Sequence, residues 1–127
     1  GPSLDRDTAL FCNKRKIAYS PGCGSASEIA QAHELGAEIV KVFPGAQVGG
    51  PAFVKAMRGP CPWVSIMPTG GVDATRESLR EWFEAGITCA GIGSKLIARD
   101  LVAARDFGAI ETKVREVRAI IDEVRGA

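Results

Sequence analysis

The stretch Glu38-Ile39-Val40-Lys41-Val42-Phe43-Pro44-Gly45 is a short apolar run that carries one lysine and ends at a proline and a glycine. Such a run, bounded by turn residues, is typical of a buried β-strand. Three further runs, over residues 17–20, 63–67 and 87–92, have the same form. The four runs end at Ser20, Pro44, Pro68 and Gly93, which are 24, 24 and 25 residues apart. This rhythm predicts an α/β fold with four parallel strands, the second over residues 38–43.

Helix signals fill the intervals between these runs. Ser25-x-x-Glu28 forms a capping-box pattern, and Gly36 is placed to end the helix that follows. Other helices are predicted to begin after Ser3 or Asp5, at Pro51, and after Asp73 or Thr75. A final helix carries an apolar stripe that we expect to face the core, formed by Ile110, Val114, Val117, Ile121 and Val124. Three aromatic residues are expected to pack in the core or between helices: Trp63, Trp82 and Phe83.

The composition describes one ordinary globular domain over residues 1–127, with 16 Lys and Arg against 15 Asp and Glu. The balanced charge provides no basic stripe for nucleic acid, and no apolar run is long enough to span a membrane. Cysteine and histidine spacing does not match a metal site: the single His33 has no CxxC pair to join. We therefore expect a small-molecule partner, reduced thiols and a cytoplasmic location.

The length of the chain limits the architecture. Repeats of this size need at least 200 residues to close an eightfold βα barrel, and 127 residues provide about half. An open four-stranded parallel sheet would leave two edges exposed. We therefore expect a partial domain that belongs to a longer protein. A flavodoxin-like domain also explains the alternation of strands and helices. It is disfavoured because it assigns no role to Lys41 and because the glycine-rich loop that it requires after the first strand is missing.

Lys41 is unusual because it lies inside a predicted parallel strand. Side chains alternate along a strand, so Ile39, Lys41 and Phe43 share one face while Val40 and Val42 share the other. One interpretation is a lysine whose ammonium extends to solvent. The other is a desolvated neutral amine, the form that attacks a ketone carbonyl to make a Schiff base.

Two glycine-rich turns follow the third and fourth runs. They are Pro68-Thr69-Gly70-Gly71-Val72 and Gly91-Ile92-Gly93-Ser94, each ahead of a helical segment. Backbone N–H groups in such turns converge on anions, and in βα barrels the last two such loops often bind phosphate. Glycine at these positions also has a purely conformational explanation, since it adopts backbone angles that other residues avoid.

Five motifs, in this order, resemble the 2-keto-3-deoxy-6-phosphogluconate (KDPG) aldolase family, which includes 4-hydroxy-2-oxoglutarate (KHG) aldolases. The specific part is Lys41-x-Phe43-Pro44 with Pro68-Thr69-Gly70-Gly71. The supporting part is Ser20-Pro21-Gly22 with Ser25-x-x-Glu28, Gly49-Gly50, and Gly91-Ile92-Gly93-Ser94. The resemblance covers essentially the whole chain, as the C-terminal half of a (β/α)₈ TIM barrel, strands five to eight.

The resemblance implies a class I aldolase that cleaves a KDPG-type substrate to pyruvate and glyceraldehyde 3-phosphate, or 4-hydroxy-2-oxoglutarate to pyruvate and glyoxylate. It implies that Lys41 is the Schiff-base lysine and that Thr69 borders the substrate. Phosphate binding is implied for Gly70, Gly71, Gly93 and Ser94. It also implies a trimer and neither cofactor nor metal.

Two departures from the family accompany this resemblance. The family's proton-shuttling glutamate and carboxylate-binding arginine belong to earlier strands, so we expect this half alone to have little activity. Lys95 stands where many relatives carry an aromatic residue. A second hypothesis is a phosphate-binding half-barrel or assembly module without catalysis, in which Lys41 serves only as a cation.

Overall fold

The computed structural model describes residues 1–126, so residue 127 of the predicted domain lies outside the described residues. These residues form an α/β fold of short parallel strands and flanking helices. The strands are β1 (Gly22–Cys23), β2 (Val40–Val42) and β3 (Ile66–Pro68). The helices are α1 (Arg6–Lys14), α2 (Ala26–Glu34), α3 (Gly50–Met57), α4 (Arg76–Glu84), α5 (Arg99–Ala103) and α6 (Phe107–Arg125). No helix within residues 1–126 combines the length and apolar character needed to cross a membrane.

The sheet has the order β1-β2-β3, with every pair parallel. In its central row, Lys41 of β2 lies opposite Gly22 of β1 on one side and Met67 of β3 on the other. Paired residues of parallel strands present their side chains to the same face. The row therefore places the lysine in the middle of one sheet face.

The two faces of the sheet differ in burial. Val40, Val42 and Ile66 are completely buried and belong to the main hydrophobic core. The helices complete this core with Ile29, Ala32, Val54, Met57, Leu79 and Trp82. The other face is only half-buried, at Lys41 and Met67 among others. Parallel sheets are ordinarily covered on both faces, whereas this second face, called the open face below, is covered by the Pro2 backbone at Gly22 and is half-buried at Lys41 and Met67.

Two of the four predicted strands are present but with other bounds, 40–42 instead of 38–43 and 66–68 instead of 63–67, and the other two differ more. The run 17–20 is not a strand, and β1 begins only at Gly22, beyond the proline expected to break it. Pro21 precedes β1, where its carbonyl accepts the Lys41 N–H at 3.0 Å and its missing N–H removes no ladder bond. The run 87–92 is not a continuous strand and makes only an isolated bridge, from Thr69 to Gly91. Its backbone bonds to β3 are those from the N–H groups of Thr88 and Gly91.

Helix starts agree closely with the sequence patterns. Asp5, Ser25 and Thr75 each accept a hydrogen bond from a backbone N–H three residues ahead, so Asp5 and Thr75 are the caps among the alternatives. Gly36 follows α2 with φ of +90°, the left-handed conformation predicted for a residue that ends a helix.

Two packing predictions are wrong in part. Along α6 only Val117 of the predicted stripe is buried, and Val114 is 41% exposed. Trp82 is buried as expected, but Trp63 is 64% exposed. Trp63 lies in the connection between α3 and β3, where neither helix nor sheet covers it. The short helix α5 was not predicted.

Candidate functional site

Lys41 occupies the centre of β2 on the open face of the sheet. Its side chain is half-buried, and its Nζ lies 5.2 Å from the centre of the Phe43 ring. The two side chains meet because residues two apart on a strand share a face. Gly22 beside it adds no side chain, and the backbone of Pro2 fills the position that a Cβ atom on Gly22 would take, so that flank of the amine is occupied by the N-terminal segment.

The charges around Lys41 are sparse. Within residues 1–126 no carboxylate lies within 4.0 Å of its amine. Glu38 is exposed. It precedes β2, so it lies at the amino ends of the strands, away from the loops that follow their carboxyl ends. Contact of an ammonium with an aromatic ring is worth about 0.5–1 kcal/mol at exposed sites. The amine therefore has an aromatic neighbour and no carboxylate partner in the described part of the chain.

Thr69, Gly70 and Gly71 follow β3 directly. The Thr69 N–H donates to the carbonyl of Val42 at 2.9 Å, which joins the end of β3 to the end of β2. Gly70 and Gly71 have φ of +86° and +79°, the region that favours glycine. The conformational explanation for these glycines is therefore confirmed, and anion binding by the same loop stays a prediction.

The loops after β2 and β3 are packed into one unit. The N–H of Gly45 donates to Thr69 O at 2.8 Å, and the N–H of Ala46 donates to Gly70 O at 3.0 Å. A Cβ atom added to Gly71 would lie 2.2 Å from the Cβ of Ala46. The strand that carries Lys41 and the glycine loop are thus fastened together by backbone bonds immediately beyond the lysine.

Gly93 and Ser94 lie in the neighbouring connection. Gly91 donates its N–H to Pro68 O at 2.9 Å, which places this connection beside the end of β3. Gly93 O then accepts the N–H groups of Leu96 and Ile97, forming a turn that leaves Ser94 exposed. The structure brings this turn to the same edge of the sheet as the loop of residues 69–71.

An ion pair connects these two loops farther out. Lys95, next to Ser94, places its Nζ 3.6 Å from an Oδ1 of Asp73, which is two residues beyond Gly71. Sequence reasoning did not find this contact, because no local pattern relates two charged residues that lie in separate loops.

The described residues form two cavities of interest. A cleft of about 550 Å³ lies between the starts of α3 and α4, beside Gly71 and Asp73, with Trp82 in its wall. A cavity of about 350 Å³ is lined by residues that precede β1 and β2, including Tyr19 and Glu38, and so lies at the other edge of the sheet. Only the first cavity adjoins the glycine loop.

The titrating groups near β1 are not suited to nucleophilic or acid–base chemistry. Burial raises the pKa of the Cys23 thiol to about 11, so it remains protonated at neutral pH. The Gly24 N–H and the Ser25 hydroxyl donate to Glu28 and lower the pKa of that carboxyl. His33 is exposed on α2. The Cys23 thiol is therefore not a candidate nucleophile.

Comparisons with known proteins agree with this arrangement. The family model KDPG and KHG aldolase matches residues 1–113. The chain is 31% identical to 2-dehydro-3-deoxy-phosphogluconate aldolase of Haemophilus influenzae, over 94% of this chain and 56% of that protein. It is 38% identical to 2-dehydro-3-deoxy-6-phosphogalactonate aldolase of Escherichia coli, over 65% of this chain and 42% of that one. The chain spans about half the length of the curated relatives it matches.

The fold matches solved aldolase structures. KDPG aldolase from Legionella pneumophila, with pyruvate captured as a covalent carbinolamine intermediate, superposes with a TM-score of 0.79 at 26% identity. That match covers 94% of this chain and 56% of the Legionella chain. A structure described as native KDPGal has a TM-score of 0.77 at 28% identity, covering 95% and 58%.

The parallel strands and flanking helices place the chain in the α/β class, with a fold similar to that of solved aldolase structures. Within that class the comparisons are specific. This chain belongs to the KDPG and KHG aldolase family, as its motifs predicted.

Proposed function

We propose that the protein containing this chain is a class I aldolase that cleaves a phosphorylated 2-keto-3-deoxy sugar acid of the KDPG type to pyruvate and glyceraldehyde 3-phosphate. Cleavage of 4-hydroxy-2-oxoglutarate to pyruvate and glyoxylate is the alternative substrate assignment. The observation that supports this proposal most strongly is Lys41, half-buried on the open face of the central strand and without a carboxylate partner in residues 1–126.

The proposed chemistry begins with the amine of Lys41. The neutral amine adds to the C2 ketone, water leaves, and an iminium bonded to Nζ forms. A base takes the proton of the C4 hydroxyl, the C3–C4 bond breaks, and its electron pair moves toward the iminium nitrogen. An aldehyde departs and an enamine remains. Protonation of the enamine at C3 and hydrolysis release pyruvate and restore the amine.

The described part of the chain offers Lys41 no nearby carboxylate to serve as that base. We assign the base to the earlier strands of the family's barrel, as the resemblance implies. Acid–base help of this kind is typically worth about 10² to 10⁴ in rate. We therefore expect residues 1–127 alone to have little aldolase activity.

The glycine loops would hold the far end of the substrate. Thr69 borders it, and the backbone of Gly70, Gly71 and Gly93 with the Ser94 hydroxyl would bind the phosphate. The adjacency of the two loops, through the contact of Gly91 with Pro68, supports this assignment.

Broader features of the protein belong to the same proposal. We propose that residues 1–127 form a partial domain equivalent to strands five to eight of a (β/α)₈ barrel, assembled as a trimer. The half-exposed sheet face supports the barrel assignment, since a closed barrel would cover that face. Four free cysteines support a cytoplasmic location.

A second candidate is a phosphate-binding half-barrel without catalysis. The observation that favours it is the position of the Lys41 Nζ, 5.2 Å from the centre of the Phe43 ring, because contact with an aromatic ring favours the charged ammonium. In that case Lys41 would contribute charge and form no covalent bond.

Borohydride trapping separates the two candidates. The full-length protein is incubated with pyruvate and borohydride, and the modified residue is located by peptide mapping. We expect one reduced pyruvyl adduct on Lys41, lost in Lys41→Arg and retained in Lys55→Arg, a control on the exposed surface of α3. An unmodified Lys41 in a protein that still binds phosphate would overturn the aldolase proposal in favour of the second candidate.

A further inference from the structure

Lys95 lies beside the two loops proposed to bind phosphate, and the glycine motifs give it no role. It follows Ser94 directly, and its Nζ lies 3.6 Å from an Oδ1 of Asp73. Asp73 in turn follows the Gly70-Gly71 loop by two residues. The ammonium of Lys95 therefore spans the gap between the two loops proposed to bind phosphate.

The ion pair between Lys95 and Asp73 contributes little to stability, so Lys95 can leave Asp73 for another anion. The Lys95 and Asp73 side chains are 71% and 50% exposed, and exposed pairs of this kind contribute little to stability. Asp73 is held from its backbone instead, since its N–H donates to the Ser78 hydroxyl at 3.1 Å. Releasing the ammonium would leave that bond in place.

Charge favours a phosphate over Asp73 as the partner of Lys95. A carboxylate carries one negative charge, whereas a phosphate monoester carries about 1.5 to 2 at pH 7. Lysine binds phosphate as a compact point charge on a flexible stem, which suits a group that changes partner.

We propose that Lys95 is a specificity-determining residue that leaves Asp73 to bind the phosphate of a phosphorylated keto acid. Asp73 holds the ammonium at the edge of the site until the phosphate arrives. This inference rests on the proposed function, because it names the group by which that site would select phosphorylated over unphosphorylated substrates.

The test compares two substrates in the full-length protein. Values of kcat/KM are measured for a phosphorylated 2-keto-3-deoxy acid and for 4-hydroxy-2-oxoglutarate, in the wild type, Lys95→Met, Lys95→Arg and Asp73→Asn. Lys14→Met is the matched control, because it removes one exposed positive charge at the end of α1, where the chain approaches the opposite edge of the sheet.

We expect Lys95→Met to lower the preference for the phosphorylated substrate by roughly three- to tenfold, chiefly through KM. Lys95→Arg should retain most of the preference. Asp73→Asn should raise it about twofold, because the competing carboxylate is removed. An equal loss on both substrates, or a change in Lys14→Met as large as in Lys95→Met, would show that Lys95 does not recognise phosphate.

A separate measurement tests the role of Lys95 if the protein is not an aldolase. If pyruvate is not trapped on Lys41, the dissociation constant for inorganic phosphate is measured by calorimetry in the same variants. Phosphate binding that is roughly threefold or more weaker in Lys95→Met than in the wild type would support the Lys95 inference on its own. The difference between the two proteins should become smaller as salt is added. Unchanged phosphate binding in Lys95→Met would overturn it.

Discussion

Gly71→Ala tests whether the loops after β2 and β3 are interlocked. Gly71 has φ of +79°, and an added Cβ would lie 2.2 Å from the Cβ of Ala46. The left-handed conformation costs an alanine about 1–2 kcal/mol. Ordinary carbon contacts are about 3.5–4 Å, so the loop must also move by more than about 1 Å, which costs about 1–3 kcal/mol in packed regions. The free energy of unfolding should fall by about 2–5 kcal/mol.

Equilibrium urea unfolding of the purified protein measures this loss. With a typical slope of about 1–3 kcal/mol per molar urea, the midpoint should move down by roughly 0.7–5 M. Gly59→Ala is the matched control, because its new Cβ would meet only Ala56 O at an ordinary 3.5 Å. That control should stay within about 0.5 kcal/mol of the wild type.

A double variant divides the loss into its two causes. Ala46→Gly removes the opposing Cβ, and the remaining contacts of the new Gly71→Ala carbon, to the Cα and N of residue 46, are 3.2 Å. The double variant should therefore regain about 1–3 kcal/mol and keep the conformational cost. Equal midpoints for Gly71→Ala and Gly59→Ala would refute the interlock. Absence of rescue by Ala46→Gly would show that the backbone angle alone causes the loss.

Three further substitutions test the starts of α2 and α6. Ser25→Ala removes the acceptor for the Glu28 N–H and should cost about 1 kcal/mol in urea unfolding, whereas an unchanged midpoint would argue against the cap. Hydrogen bonds led by the Gly24 N–H lower the pKa of Glu28, so its stabilising charge is present above the ordinary pKa and is lost as pH falls through the lowered one. The stability difference between wild type and Glu28→Gln should accordingly be largest near pH 7 and shrink below about pH 4; a difference independent of pH would contradict this. Gly108→Ala, in the first turn of α6, would place its Cβ at an ordinary 3.7 Å from Oδ1 of the N-cap Asp106 and should raise the thermal midpoint through a gain of about 0.5–1 kcal/mol; a lower midpoint would contradict this.

Local patterns predicted the elements of the fold well where they depend on neighbouring residues. The alternation that put Val40 and Val42 on one face and Lys41 on the other is confirmed by burial. The capping box at Ser25 is confirmed by its hydrogen bonds. Each of these features is determined within a few residues of chain, so the sequence carries the necessary information.

Features that depend on distant partners were not predictable in the same way. β1 lies two residues beyond the predicted run because its position follows from bonds to β2, among them that from Lys41 N–H to Pro21 O. Trp63 is apolar, but hydrophobicity alone does not say which neighbours will cover a connecting segment. The pair of Lys95 and Asp73 joins two loops that no periodic pattern relates.

Site prediction shows the same division. Motif order identified Lys41 and the glycine turns, and the structure places both turns at one edge of the sheet. Positive φ angles at Gly70 and Gly71 are by themselves sufficient reason for glycine there, so anion binding by these turns stays a prediction. The contact of Gly71 with Ala46 had no counterpart in the sequence patterns, since neither residue type signals the other.

The fastening of the β2 loop to the β3 loop uses only main-chain atoms, from Gly45 to Thr69 and from Ala46 to Gly70. Peptide groups are common to every amino acid except for the missing N–H of proline. The bonds themselves therefore do not depend on side-chain type, but a Cβ atom at residue 45 would lie 2.8 Å from Gly70 O, so glycine is required there. The close spacing between the lysine strand and the glycine loop thus requires residues without side chains at positions 45 and 71, and substitutions elsewhere on the loop surfaces can accumulate without disturbing the main-chain bonds.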